Sequence, residues 1–147
     1  MSKSTAKEKR YWLVKFAPFR TSWSEIVRRG TFTLRGVRSP TARKHLKEMK
    51  LHDRVLFYHS QQERAVVGLM AVSRTTYPDP TSADPQWLAC DFAPVRSLAH
   101  SVSLTQIKAD SRLAEMGLVQ QPRLAAMPLT AHEFDTIANE LANRSME

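Results

Sequence analysis

The 147-residue sequence contains one cysteine, Cys90, and this scarcity excludes two kinds of structural support. A single thiol cannot form an intramolecular disulfide, and every multi-cysteine zinc pattern needs at least two thiols. The five histidines show no pair at the His-x-x-x-His spacing that places two imidazoles on one helix face. We therefore expect no disulfide, no metal site and no cofactor.

Long apolar runs are also missing. None approaches the roughly 20 residues that a spanning helix needs, and the first ten residues, MSKSTAKEKR, lack the apolar core of a signal peptide. Hydrophobic residues make up 42% of the chain, which is ordinary for a globular domain. We expect a flexible basic tail over residues 1–10, a single domain over residues 11–143, no membrane association and a cytoplasmic location.

The sequence lacks the short motifs of several enzyme classes. There is no Gly-x-Ser-x-Gly, no Walker loop, no Gly-x-Gly-x-x-Gly and no His-Glu-x-x-His. His59 and Ser60 are neighbours on a predicted strand, so their side chains point to opposite faces and cannot form a dyad. We expect a binding protein and not an enzyme; a nuclease or base-processing enzyme and a protein-interaction scaffold are the alternatives.

Positive charge is abundant, but it is concentrated in one segment. The formal net charge is +8, and residues 20–50 hold nine basic and two acidic side chains, whereas residues 51–147 hold eight basic and eleven acidic ones. A concentrated basic surface favours a polyanionic partner, since each phosphate contact releases counterions. A solvated basic face with no partner is the alternative.

Periodicity, capping residues and turn residues predict a mixed α+β chain. Helix N-caps are predicted at Ser22, Ser39, Ser103 and Thr130. In the second helix Ala42, Leu46 and Met49 share one apolar face. Strands are predicted over residues 11–18, 31–37, 54–60, 65–77, 87–95 and 123–129. These elements fit a small mixed β-barrel surrounded by helices.

Several motifs in this chain resemble those of the EVE domain family. YWLVKFAP, RGVRSPTARKHLKEMKLHDRVLFYHS, YPDPTSADPQW and LVQQPRL follow one another in the family's order and spacing over about residues 11–140. The resemblance implies a PUA-like fold related to the YTH readers of methylated RNA bases. It also implies a barrel pocket for a flipped or single-stranded base, often a modified one, beside a basic surface for the nucleic-acid backbone.

The segments that match the family's pocket motifs provide the candidate site residues. Such a site needs rings for stacking, polar groups for a base edge and cations outside. The candidates for base binding are Lys15, Phe16, Trp23, Arg35, Arg38, Ser39, Phe57, Tyr58, His59, Ser60 and Arg123. The candidates for backbone contact are Arg43, Lys44 and Lys47. Single-stranded RNA or DNA is the expected partner, with other proteins as a second possibility.

This chain departs from the family pattern at the predicted pocket. We expect the recess to be bounded by Phe16, Trp23, Arg38, Ser39, Tyr58 and His59. Leu34 stands where the family has a tryptophan, Ser39 where it has an asparagine, and Pro122 where it has a glycine. Leucine offers no π-face and serine cannot make the bidentate amide contact to a base. Three outcomes stay open: a different base, weaker binding, or a scaffold whose pocket is vestigial.

Overall fold

The computed structural model describes residues 10–17, 21–37, 39–60 and 63–143. The strands in this part of the chain are β1 (Tyr11–Phe16), β2 (Phe32–Arg35), β3 (Arg54–His59), β4 (Ala65–Pro78), β5 (Leu88–Ser103) and β6 (Ala126–Leu129). The helices are α1 (Trp23–Arg29), α2 (Pro40–Glu48), α3 (Leu104–Ala109), α4 (Gly117–Gln120) and α5 (Ala131–Asp135), which continues as a π-helical segment (Thr136–Glu140) and a 3₁₀ turn (Leu141–Asn143). Within these ranges, none of the helices has the length and apolar content to cross a membrane.

The helix starts follow the predicted capping residues. Ser39 accepts a hydrogen bond from the Ala42 N–H at 3.2 Å, and Pro40 occupies the first position of α2. Ser103 and Thr130 each form a reciprocal capping box with the residue three positions on. Because a cap satisfies N–H groups that the helix itself leaves unpaired, these local patterns are strong predictors. The four predicted helix starts are confirmed.

The sheet is mixed and open, so the predicted barrel is wrong in its closure. The strand order is β2-β5-β4-β3-β1-β6, and the edge strands β2 and β6 each pair with one neighbour only. In β6, Pro128 has no N–H to donate to a further strand. At the opposite edge of the sheet, the Phe32 ring of β2 packs edge to face on the Phe16 ring of β1. Their centroids are 5.0 Å apart. This ring contact brings the edge strand β2 against β1 by side-chain packing, without backbone pairing between them.

β2, β5 and β6 differ in length from the prediction by three residues or more, and β2 is shorter at both ends. β5 runs on to Ser103 because it stays paired with β4 along the whole length of that strand, with register shifts on the way. β6 begins only at Ala126, since the Leu124 N–H bonds the Gln121 carbonyl and closes a turn at 3.0 Å. The predicted meander of β3, β4 and β5 is confirmed.

One buried carboxylate joins three elements. Asp53 is 3% exposed and lies directly before β3. Its Oδ2 accepts hydrogen bonds from the Trp12 indole N–H and the Lys50 backbone N–H, both at 2.9 Å, and its Oδ1 accepts one from the Arg10 N–H at 3.2 Å. A buried charge needs such donors. Asp53 therefore ties the start of β1 to the segment that follows α2.

The indole of Trp23 packs directly on the backbone of β4. A Cβ built on Gly68 would overlap the Trp23 ring, so only glycine leaves room for the indole in this position. The same ring donates its N–H to Ser97 Oγ at 2.8 Å and lies 5.8 Å from the Phe57 ring. Gly68 is thus the position in the sheet that lets α1 dock.

We expect Gly68→Ala to lower the free energy of unfolding by about 1–3 kcal/mol, the usual cost of overpacking a tight core. Urea unfolding of the wild type and the variant measures this. Gly117→Ala is the matched control, because a Cβ there would lie 3.2 Å from the flexible Met127 side chain. The control should change stability by less than about 1 kcal/mol. Equal losses in both variants would contradict the assigned role of Gly68.

Candidate nucleic-acid interface

Helix α2 separates two recesses because its three faces carry different side chains. Ala42, Leu46 and Met49 are buried against the sheet. The first recess, here called the loop recess, has a volume of about 510 Å³ and lies between the start of α2 and the loop before β6, lined by Ser39, Thr41, Gln121, Pro122, Arg123 and Leu124. The second, here called the basic recess, has a volume of about 310 Å³ and is lined by Pro40, Arg43, Lys44, Lys47, Pro85, Gln86 and Leu88.

The loop recess brings together motif residues that are distant in the sequence. Ser39 and Arg123 both line it. Lys15 of β1 donates a hydrogen bond from Nζ to the Pro122 carbonyl, and its Nζ lies 6.0 Å from the centroid of the Tyr58 ring. Partial burial lowers the pKa of Lys15. Lys15 thus links β1 to the loop at Pro122 that lines the recess.

The groups around the loop recess are suited to the edge of a heterocycle. Arg123 supplies guanidinium donors, and Gln121 supplies an amide that both donates and accepts. Pro122 and Leu124 add an apolar surface. Among the described residues no aromatic side chain lines this recess, so a base held there relies on hydrogen bonds and aliphatic contact.

The basic recess is built on an arginine whose side chain is held in place. The Arg43 guanidinium lies 5.0 Å from the centroid of the Trp87 ring and donates to the Gln86 carbonyl at 3.4 Å. Asp84 accepts hydrogen bonds from the Gln86 backbone and side-chain N–H groups, both at 3.0 Å, and these bonds lower the pKa of Asp84. The loop that faces α2 is therefore ordered by its own hydrogen bonds, and Lys44 and Lys47 add two further cations.

A separate aromatic cluster lies around β3. The Phe57 ring is 5.4 Å from Phe32 and 5.7 Å from His59. His59 Nε2 accepts the Trp23 backbone N–H at 3.1 Å, so the neutral ring carries its proton on Nδ1, which lies 3.0 Å from Glu63 Oε1. Both nitrogens of this buried histidine have partners within the protein. His59 therefore positions the start of α1.

The structure divides the predicted pocket residues into two groups. Trp23, Phe57 and His59 pack inside the aromatic cluster, and Tyr58 is 2% exposed. Phe16 is half-buried at the border of this cluster. Ser39 and Arg123 line the loop recess instead. The contact of each residue with a ligand stays a prediction.

Other predicted residues lie elsewhere or outside the part of the chain that the structure describes. Arg35 is exposed at the end of β2, and Arg38 lies outside the described residues. The Ser60 N–H bonds the Phe16 carbonyl at 3.0 Å, which extends the pairing of β1 with β3. Leu34 is 3% exposed and lies in the core. Arg43, Lys44 and Lys47 line one recess, as their shared helix face predicts.

Sequence reasoning missed the residues that complete both recesses. Thr41 and Gln121 lie beside predicted residues in the loop recess, and Pro85, Gln86 and Leu88 face α2 across the basic recess. The tract YPDPTSADPQW matches a family motif, but nothing in its sequence indicates which helix it faces. The cations on one face of α2 are the sequence feature that could have indicated a binding recess on that face.

The described residues contain no group of three or more histidine, cysteine, aspartate and glutamate side chains that could hold a metal ion. Cys90 is buried, and burial raises the pKa of its thiol to about 12. Such a thiol stays protonated near neutral pH and is a poor nucleophile.

Curated relatives resemble the greater part of this chain. Thymocyte nuclear protein 1 of Mus musculus is 34% identical over 125 residues, which cover 69% of this chain and 55% of the relative. Its counterpart in Homo sapiens is 31% identical, with 69% and 56% covered. The chain thus spans about half the length of the curated relatives it matches.

Solved structures share the fold. A crystal structure of a protein from Agrobacterium tumefaciens is 35% identical with a TM-score of 0.87, and 92% of this chain and 96% of that chain are covered. The human THYN1 protein in complex with DNA containing 5-methylcytosine is 27% identical with a TM-score of 0.83, and the coverage is 93% and 99%. The EVE domain model matches residues 10–140. With these matches and the motifs in its sequence, the chain belongs to the EVE domain family.

Proposed function

We propose that this chain binds DNA and holds a modified cytosine in the loop recess while the basic recess contacts the phosphate backbone. The observation that carries the proposal is the similarity to the human THYN1 protein in its complex with DNA containing 5-methylcytosine, which extends over 93% of this chain. The DNA complex was observed for the human protein, and its extension to this chain is our proposal. The arrangement of the two recesses around α2 is the support that this chain itself supplies.

The loop recess has the size and the groups that an extruded base requires. Its volume of about 510 Å³ falls in the range of roughly 300–1,000 Å³ that small-molecule sites occupy. The Gln121 amide oxygen can accept from the cytosine N4 amino group, and Arg123 can donate to the ring acceptors. The 5-methyl group then has Pro122 and Leu124 as apolar neighbours.

The basic recess suits phosphates that flank such a base. Ser39 lines the loop recess and Pro40 the basic recess, so the two sites meet at the start of α2. The N-terminal end of a helix attracts anions, and the first turn of α2 contains no acidic residue. A strand that inserts a base on one side of α2 can therefore lay its backbone on the other.

The proposal is for binding and not for catalysis. RNA as the polymer, protein partners and a cytoplasmic location stay predictions from the sequence. The organisation into one domain over residues 11–143 also belongs to the proposal, and residues 1–9 of the predicted tail lie outside the described residues.

We expect Arg123→Ala to weaken binding to a single-stranded oligonucleotide containing one 5-methylcytosine by about tenfold, since one base-edge contact contributes roughly 1–3 kcal/mol. Fluorescence anisotropy with methylated and unmethylated strands measures the loss. Arg96→Ala, an exposed arginine on β5, removes the same charge elsewhere and should leave the preference for the methylated strand intact. An unchanged preference in Arg123→Ala would show that the base lies in another place.

We expect the triple variant Arg43→Gln/Lys44→Gln/Lys47→Gln to bind DNA with a weaker dependence on salt. If three phosphates are contacted, the slope of log K against log salt should decrease by about two to three. Glutamine keeps a good helix propensity in α2. The matched control is Arg28→Gln/Arg96→Gln/Lys108→Gln, which removes the same charge at α1, β5 and α3. Equal slopes in both triple variants would exclude the basic recess as the contact.

We expect end-labelled DNA and RNA strands to remain intact after incubation with the protein and Mg²⁺, because both nitrogens of His59 are occupied by Trp23 and Glu63. Denaturing gels read out the product. The decisive comparison is His59→Ala: cleavage by the wild type that disappears in this variant would overturn the binding role in favour of a nuclease.

A further inference from the structure

A third recess continues from the loop recess along α2, bounded by α2, α4, β6 and the start of α5. We call it the flanking recess. Its volume is about 460 Å³, and it shares Gln121 and Leu124 with the loop recess. Because Gln121 and Leu124 line both recesses, the two recesses are adjacent, and one ligand can occupy both.

Polar groups in the flanking recess lack partners. His45 Nδ1 is buried and makes no hydrogen bond, and it lies 3.7 Å from Glu48 Oε1, which is too long for one. Glu115 has no hydrogen bond or ion pair with any described residue. Glu133 uses one oxygen, Oε1, to accept the Thr130 N–H at 3.0 Å. The carboxylates of Glu115 and Glu133 therefore line the recess with acceptor capacity that the described residues do not use.

The charge of this recess differs from that of the other two. Glu115 and Glu133 line it, and among the described residues no lysine or arginine does. Carboxylates repel phosphate but accept hydrogen bonds from amino groups, as they do from cytosine N4. Leu124 and Met127 add an apolar wall. These groups suit a flat, neutral ligand that bears an exocyclic amino group.

The spacing of the two recesses along α2 exceeds the rise between stacked nucleotides. Thr41 lines the loop recess and His45 lines the flanking recess. Four residues along an α-helix correspond to about 6 Å. This is nearly twice the ~3.4 Å rise per nucleotide of a duplex strand, so it fits a neighbour that has been unstacked from the base in the loop recess.

We propose that the flanking recess binds the nucleobase next to the modified base and prefers cytosine, adenine or guanine, which carry an exocyclic amino group, over thymine. This inference rests on the proposed function. It makes the chain a reader of a modified base together with one neighbour, with Glu115 and Glu133 as specificity-determining residues.

The test uses strands with one 5-methylcytosine whose 5′ or 3′ neighbour is cytosine, adenine, guanine, thymine or an abasic site. At one of the two neighbours the wild type should bind a base with an exocyclic amino group about tenfold more tightly than thymine or the abasic site, from a base contact of roughly 1–3 kcal/mol. In Glu115→Gln/Glu133→Gln this ratio should fall to about threefold, because a hydrogen bond to a charged carboxylate is roughly twice as strong as one to a neutral amide oxygen. Glutamine at position 133 preserves the capping box of α5, so the fold is kept.

The control variant Glu25→Gln/Glu140→Gln removes two carboxylates that do not line the flanking recess, and it should keep the wild-type ratio. Methylation-dependent binding with no influence of either neighbour would overturn this inference alone. No binding of any strand would overturn it together with the proposed function. Binding of a lysine-rich peptide that Glu115→Gln/Glu133→Gln abolishes, without any effect of the neighbouring base, would assign the recess to a protein partner instead.

Discussion

The three recesses around α2 depend on the buried carboxylate of Asp53, because it helps to hold α2 in position. Its three N–H donors come from the start of β1 and from the segment after α2. Because β1 and β3 run parallel, the chain between them must cross over, and α1, β2 and α2 all lie on this crossover. The hydrogen bonds to Asp53 join the end of this crossover, just before β3, to the start of β1. They hold α2 against the sheet, and α2 carries one wall of all three recesses.

Two histidines illustrate how surroundings decide the role of a side chain. His59 is buried with one nitrogen on the Trp23 N–H and the other beside Glu63, so its bonding capacity is used within the protein. His45 lines a recess and its Nδ1 makes no hydrogen bond. The first histidine stabilises the docking of α1, whereas the second has a buried Nδ1 without a hydrogen-bond partner. Residue type alone does not distinguish them.

The three recesses around α2 differ in charge, so the charge of this surface changes from one side of the helix to the other. The basic recess carries three cations, the loop recess carries Arg123 with neutral polar groups, and the flanking recess carries Glu115 and Glu133. A nucleic-acid strand likewise carries negatively charged phosphates, which suit cations, and neutral bases, which suit hydrogen-bonding groups. In our proposal, phosphates lie where cations are, and two bases lie where hydrogen-bonding groups are unpaired.

The sequence by itself determined the helix starts, the β-meander, the family and the cations of α2. These features depend on local patterns: a cap bonds an N–H three residues away, and a helix face repeats every three to four residues. The tertiary structure alone decided that the sheet stays open, that the Trp23 backbone N–H bonds His59 Nε2 within an aromatic cluster, and that Ser39 and Arg123 line a recess apart from that cluster. Those outcomes depend on contacts between distant segments, such as the indole on Gly68 and Lys15 on the Pro122 carbonyl, and no local spacing encodes them.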